Sequence, residues 1–227
     1  MGVVASVALS AGMVATATGG RLAIGAAEVA FDGVSIDSRT LGPGALFVAL
    51  RGDRFDGHDF LDAALDRGAA GLLVEKDLGG LFTKNVKRAP RSLIVVRDTL
   101  DALQKLGREV RRRSGARVVA ITGSAGKTTT KEITAEFLSA THRVFRNQGN
   151  LNNHVGLPLS LIELRHGPEI AVVELGMNHV GEIRTLIGIA EPDVRVWTNV
   201  GDAHVGHFGS REAIARAKAE ILEAAGP

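Results

Sequence analysis

The sequence predicts an α/β protein: a small mixed α/β domain over residues 1–97, then part of a P-loop-type domain on a parallel sheet over residues 98–227. Three observations lead there. From Arg117 onward short β-branched runs alternate with helical patterns, which is how βαβ units on a parallel sheet read. Within that stretch Val118-Val119-Ala120-Ile121-Thr122-Gly123-Ser124-Ala125-Gly126-Lys127-Thr128-Thr129 passes from strand through small residues into a helix opening on Lys and Thr. Upstream of Val96 the texture differs, with short β-like runs set between Gly-rich turns.

In chain order, residues 34–36, 45–50, 71–74 and 93–96 read as strands and 59–65 as a helix. Leu100, Leu103, Leu106 and Val110 make the apolar stripe of a helix that ends in Arg111, Arg112 and Arg113. That basic run meets the helix dipole and reads as a solvated helix end. Strands then fall at 117–122, 142–145, 170–175 and 194–199, and helices after Lys127 and over 157–164, 182–189 and 210–224.

Composition narrows the function classes. A chain of 227 residues with 45% hydrophobic and 23% charged side chains is ordinary globular usage, which excludes disorder. No apolar run reaches the roughly 18 residues a membrane helix needs. No Lys or Arg precedes Arg21, so the charged start of a secretory signal is missing and a cytoplasmic location is expected. Met1-Gly2-Val3-Val4-Ala5-Ser6 fits the bare N-myristoylation pattern, which is too short and common to carry weight. With no cysteine, any metal site must use O and N ligands. A net charge of +2 and 4% aromatics offer neither the basic footprint nor the stacking platforms of a nucleic-acid binder.

The segment around Gly123 carries the most chemistry. Small residues let backbone N–H groups approach phosphates, and the helix N-terminus adds a favourable dipole. Lys127 reaches the β and γ oxygens and Thr128 offers a hydroxyl to Mg²⁺. Gly123, Ser124, Ala125, Gly126, Lys127, Thr128 and Thr129 are therefore the expected nucleotide-binding residues. Ile121 stands where the common pattern has its first Gly, so the loop is the shorter G-x-x-G-K-T.

Ligands of such sheets collect at the carboxyl ends of strands. Glu174 ends the apolar run 170–173, and His204 follows the strand over 194–199. Either alone reads as a solvated loop residue; their position beside the phosphate loop makes them candidates. Lys218 shares the buried stripe of Ile214, Ile221 and Leu222 on the last helix. Two readings of it stand: a snorkelling lysine, or a desolvated amine that is neutral often enough to take up CO₂. In the second case Glu174, His204 and a carbamylated Lys218 form an all O and N divalent-metal site.

Together these residues resemble the Mur ligase family, the ADP-forming amide ligases of peptidoglycan assembly. The likeness rests on the loop 122–132, on Gly149-Asn150-Leu151-Asn152-Asn153 with Gly156-Leu157-Pro158, and on Glu174-Leu175-Gly176-Met177-Asn178-His179 with Gly181-Glu182-Ile183. Ala203-His204 with Phe208-Gly209-Ser210 and, upstream, Asp37-Ser38-Arg39 with Asp56-Gly57-His58-Asp59-Phe60 add to it. It looks most like the branch that adds D-alanyl-D-alanine to a UDP-N-acetylmuramoyl tripeptide. The resemblance implies ATP, two Mg²⁺ ions and an acyl-phosphate intermediate, with Lys127, Glu174, His204 and Lys218 as catalytic residues and Thr128, Glu174, His204 and Lys218 at the metals. It implies that Ser38 and Arg39 contact uridine diphosphate in a UDP-muramoyl-binding domain, that Asn150, Asn152 and Asn153 contact the muramoyl substrate, and that the full-length enzyme is a monomer. Two places depart from the pattern: His154 replaces an acidic residue, and Val205-Gly206 replaces Leu-Glu. It also implies that the chain stops part-way through the ATPase domain, with the C-terminal domain absent, so that it binds rather than ligates. A non-catalytic UDP-substrate or nucleotide-binding module is the alternative. A folylpolyglutamate synthetase-like ligase is argued against by residues 37–60, and a GTPase by the missing Asn-Lys-x-Asp segment.

Overall fold

Short strands, several of them buried along all or nearly all of their length, form two sheets, one in each part of the chain. The computed structural model describes residues 6–52, 54–76, 89–201 and 205–223. The chain divides into two compact units, Ala8–Leu106 and Gly107–Pro227 with Met1–Val7.

In the first unit helix α1 (Ala11–Thr18) starts at Ser10, whose side chain accepts the Met13 N–H, and stops at Gly19 in the left-handed conformation (φ 68°). Strands β1 (Arg21–Ile24), β2 (Val34–Ser35), β3 (Leu46–Val48), β4 (Gly71–Val74) and β5 (Ser92–Val95) form a sheet in the order β1-β5-β4-β3-β2. β1 runs antiparallel to β5 and the other pairings are parallel, which makes the unit mixed α/β. Helix α2 (Leu61–Asp66), entered through a 3₁₀ turn at Gly57–Phe60, covers one face with Leu61 and Ala64 packed among Phe47, Leu72 and Leu93. The sequence reading passed over α1 and β1. The residues 11–18 carry no helical stripe, because Ala, Gly, Met, Val and Thr follow one another with no polar face.

Helix α3 (Thr99–Ser114) contains the division between the units and leads to a four-stranded, all-parallel sheet. Its strands are β6 (Arg117–Thr122), β7 (Val144–Arg146), β8 (Ile170–Glu174) and β9 (Val194–Trp197), in the order β7-β8-β6-β9. The helices are α4 (Lys127–Ser139), α5 (Gly156–Ile162), α6 (Glu182–Ala190), α7 (Val205–Phe208) and α8 (Arg211–Ala219). Val118, Ala120, Ala171 and Val173 pack with α5, α6 and α8, whereas Ile121 and Val172 pack with Ala135 of α4. That two-residue period places Glu174 on the α4 side of the sheet. Parallel strands share a polarity, so the segments after β6, β8 and β9 leave from one edge.

The Arg111–Arg113 run is only in part the solvated helix end the sequence suggested: Arg112 and Arg113 stay about half exposed, whereas Arg111 is largely covered. Arg111 donates to Ala190 O (2.8 Å) and Glu191 O (2.7 Å), and Arg112 donates to both carboxylate oxygens of Glu191 (2.9 and 2.6 Å). Arg108 adds a third guanidinium on Glu191 at 2.7 Å. These cations hold the Glu191 carboxyl at about 2, with the Arg112 hydrogen bond the largest influence. Arg113 is bonded to Glu109 within α3 at 2.6 Å.

Candidate active site

The loop after β6 bends where only glycine fits. Gly123 has φ 156°, and a Cβ there would stand 1.9 Å from Thr198 Oγ1. Gly126, in the left-handed region at φ 77°, turns the chain into α4 and serves as its N-cap without a side-chain bond. The first-turn N–H groups of α4 have no intrahelical partner by construction, and with the dipole they suit an anion.

Two ammonium groups meet at this loop. Lys127 Nζ, from the first residue of α4, and Lys218 Nζ, from α8, each donate to the same carbonyl oxygen, Gly123 O, at 3.0 Å. Lys218 is 2% exposed and sits with Ile214, Ala217 and Ile221, so its head is desolvated, but the expected stripe is corrected at Leu222, which is 60% exposed because the chain leaves α8 after Ala219. Burial first, and the charge of Lys127 second, pull the Lys218 amine down to about 8. Two cations on one acceptor attract a polyanion strongly.

Glu174 closes the other side. It is 5% exposed, Thr128 Oγ1 donates to its Oε2 at 2.7 Å, and Asn152 Nδ2 donates to its Oε1 at 3.0 Å. Strand alternation predicts this contact, since it turns Glu174 toward the helix that carries Thr128. The hydroxyl and carboxylate oxygens are hard donors of the kind Mg²⁺ takes, so this pair fits such an ion. His204 lies outside the described residues, as do Asp202 and Ala203. Thr129 lies in the first turn of α4 and is exposed.

The three asparagines of the 149–153 run have different surroundings. Asn152 is engaged by Glu174, and its backbone O accepts the Gly176 N–H at 2.8 Å. Asn153 Oδ1 accepts the N–H groups of Val155 (3.1 Å) and Gly156 (2.8 Å), which starts α5. Asn150 is exposed and offers its backbone O to the Asn152 N–H at 2.8 Å.

Sequence reasoning missed two buried partners. Asn147, 1% exposed, exchanges bonds with the Glu174 backbone through Oδ1 (3.0 Å) and Nδ2 (3.5 Å). Lys131, equally buried, donates to Asn147 O at 2.6 Å and pairs with Glu132 at 3.1 Å. The available signal was spacing: Lys131 is one helical turn beyond Lys127, on the face that meets β7 and β8.

Ser38 and Arg39 belong to the first unit and line a separate cavity of about 470 Å³ with Asp37, Phe47, Leu50 and Phe60. Arg39 is committed there to Asp37, with Nε at 2.9 Å and Nη2 at 2.7 Å, and this hydrogen bonding holds the Asp37 carboxyl at about 2. His58 follows Gly57 of the cavity lining and is fixed on both ring nitrogens. Its Nε2 accepts the Glu75 N–H at 3.0 Å, so Nδ1 carries the proton that faces Asp56 Oδ1 at 2.5 Å.

Similar sequences and folds are found in known proteins. The chain is 42% identical over 197 residues to the UDP-N-acetylmuramoyl-tripeptide--D-alanyl-D-alanine ligase of Bacillus subtilis, covering 86% of this chain and 41% of that protein. The Escherichia coli protein of that name is 43% identical over 196 residues, with the same coverage of 86% and 41%. A crystal structure of MurF from Acinetobacter baumannii superposes with TM-score 0.85 at 38% identity, over 95% of this chain and 46% of that one. MurF ligase from Thermotoga maritima, crystallised in complex with ADP, matches with TM-score 0.72 at 42% identity, over 84% and 42% of the two chains. The chain thus spans about two fifths of the length of the curated relatives it matches. The Mur ligase family catalytic-domain model matches residues 30–111, the Mur ligase middle-domain model matches residues 121–227, and the chain belongs to the Mur ligase family.

Proposed function

We propose that this chain carries the nucleotide site and the UDP-muramoyl site of an ATP-dependent ligase that joins D-alanyl-D-alanine to a UDP-N-acetylmuramoyl tripeptide in peptidoglycan precursor synthesis. The observation that carries the reading is the convergence of Lys127 and Lys218 on Gly123 O beside the Thr128–Glu174 pair. In this reading the 126–129 amides and Lys127 bind the β and γ phosphates of ATP. The substrate carboxylate attacks the γ-phosphorus and ADP leaves; the amine of D-alanyl-D-alanine then attacks the acyl phosphate, and phosphate departs. Two anions must approach, so positive charge around the loop does most of the work. Thr128 and Glu174, with His204 and a carbamate on Lys218, would hold two Mg²⁺ ions, whose contribution is further screening of that charge.

A carbamate at Lys218 needs a neutral amine, and an amine near 8 is neutral at about one part in ten at pH 7. The cavity lined by Ser38, Arg39 and Phe47 takes the uridine diphosphate, with Phe47 and Phe60 offering the base an apolar wall. Asn150 and Asn152 face the muramoyl peptide, while Asn153 shapes their loop. Among the described residues no helix is long and apolar enough to cross a membrane. A monomeric cytoplasmic enzyme acting on small molecules is the corresponding cellular reading.

Calorimetric titration of the 227-residue chain with ADP and Mg²⁺, and separately with the UDP-muramoyl tripeptide, tests both sites. Lys127→Ala should lose ADP binding and keep its unfolding midpoint; unchanged ADP affinity would falsify the phosphate-loop assignment. A coupled assay for ADP release with tripeptide and D-alanyl-D-alanine separates ligation from binding alone. Turnover by this chain would refute the binding-module alternative. Lys218→Arg keeps the charge and cannot form the carbamate, so full ligase activity of that variant of the full-length enzyme in bicarbonate-free buffer would rule the carbamate out.

A further inference from the structure

The front half of the loop is tied to the end of β9 by its own residues. The Ser124 N–H donates to Asn199 O at 3.1 Å, the Ala125 N–H donates to Asn199 Oδ1 at 2.9 Å, and Thr198 Oγ1 donates to Ala125 O at 2.7 Å. Asn199 O also receives the indole N–H of Trp197 at 3.1 Å. Thr198 packs so tightly against Gly123 that no side chain fits between them. The back half is built differently, since Gly126 caps α4 without a side-chain bond and leaves the first-turn N–H groups to whatever anion comes.

We infer that Thr198 and Asn199 form a strut that fixes the Ser124–Ala125 peptide in place, so that the amides of 126–129 already converge when a nucleoside polyphosphate arrives. This rests on the phosphate-loop reading above and adds a positioning residue, Asn199, that works through the loop. A short loop with two glycines has several backbone conformations to lose on binding, and holding one of them beforehand lowers that cost. The residue type follows from the task. An amide oxygen accepts the Ala125 N–H without bringing charge, whereas a carboxylate at the same place would accept the same bond and repel the phosphates.

The test uses the whole 227-residue chain with ADP and Mg²⁺ as the probe. Trp197 is the chain's single tryptophan and there is no tyrosine, so its emission reports the Asn199 carbonyl directly. Amide hydrogen exchange at Ala125, read by NMR, reports the strut without any ligand. In Asn199→Ala the Ala125 amide should exchange about tenfold faster and the Kd for ADP should rise about tenfold, with the unfolding midpoint little changed. Asn199→Asp should keep the Ala125 protection yet bind ADP more weakly than Asn199→Ala, with a smaller deficit for AMP, which brings fewer charges. Asn199→Ala binding ADP as tightly as the unaltered chain, or more tightly, overturns the strut, as does unchanged exchange at Ala125. Failure of the unaltered chain to bind ADP refutes the phosphate-loop reading itself and takes this inference with it.

Discussion

Replacing Lys218 with methionine asks what a buried ammonium costs this fold. The side chain is 2% exposed and methionine nearly matches its length, so packing with Ile214, Ala217 and Ile221 is kept and the charge is removed. The amine titrates near 8 where 10.5 is usual, chiefly because burial penalises the charge. At about 1.4 kcal/mol per pH unit, the protonated amine costs the fold at most roughly 3 kcal/mol. Water at the loop mouth screens part of that, and losing the bond to Gly123 O takes back about 1 kcal/mol, which leaves a net gain of about 1 kcal/mol at pH 7. The sign with pH is fixed by linkage. Between pH 8 and 10.5 the unfolded chain binds more protons at this position, so the unaltered protein gains stability as pH rises through that window. Urea unfolding of both proteins from pH 7 to 10.5 should therefore show Lys218→Met ahead at pH 7, with the gap closed or reversed at the alkaline end. A variant less stable at pH 7, or a gap that does not move with pH, would show that the amine is a structural tie and not a strained charge.

Three further outcomes follow from particular contacts. Glu220 is 2% exposed and accepts the N–H groups of Gly181 (2.8 Å) and Arg184 (3.0 Å), capping α6 from another segment. Glu220→Ala should cost about 2–3 kcal/mol in urea unfolding, and Glu220→Gln about half of that, because one acceptor oxygen survives. Glu191 titrates at about 2 against an ordinary 4.5, so its stabilisation is complete above pH 4.5 and drains away as pH falls toward 2. The stability of Glu191→Gln should fall less steeply than that of the unaltered chain between pH 5 and 3, with parallel curves counting against the Arg108–Arg112 clamp. In Gly176→Ala the new Cβ would lie 2.9 Å from Asn152 Oδ1, which pushes Asn152 off Glu174. We expect a loss of about 1–2 kcal/mol at an unchanged urea m value.

Periodicity made most of the fold readable, and the reasons for its failures are specific. Residues 71–74 and 117–122 stood out as strands because β-branched and leucine runs there are bounded by turn residues on both sides. The residues 11–18 offered no such contrast, and their helix is defined by its ends, Ser10 and Gly19. At the site, Lys127, Thr128, Glu174 and Lys218 were legible because each combines an unusual residue type with a defined position: a loop end, a strand end or an apolar stripe. Asn147 and Asn199 were not, since nothing in a lone sequence marks a polar loop residue as facing inward, and Lys131 was signalled only by its spacing of one turn from Lys127. Their roles exist only through neighbours distant in the chain, such as Glu174 for Asn147 and Ala125 for Asn199. The same limit explains Arg111 and Arg112, whose partner Glu191 lies about eighty residues away.

On the proposed phosphate-loop reading, the loop also separates two tasks that such a site must combine. Rigidity comes from β9, through Thr198 and Asn199, by hydrogen bonds that carry no net charge. Charge comes from the helices, through Lys127 of α4 and, wherever it is not carbamylated, the Lys218 ammonium of α8, which share one carbonyl and repel each other. Had the same residues supplied both, every change in the loop's charge on binding would also change its shape. With the tasks divided, a polyphosphate can relieve the lysine repulsion while the backbone that receives it stays where β9 holds it.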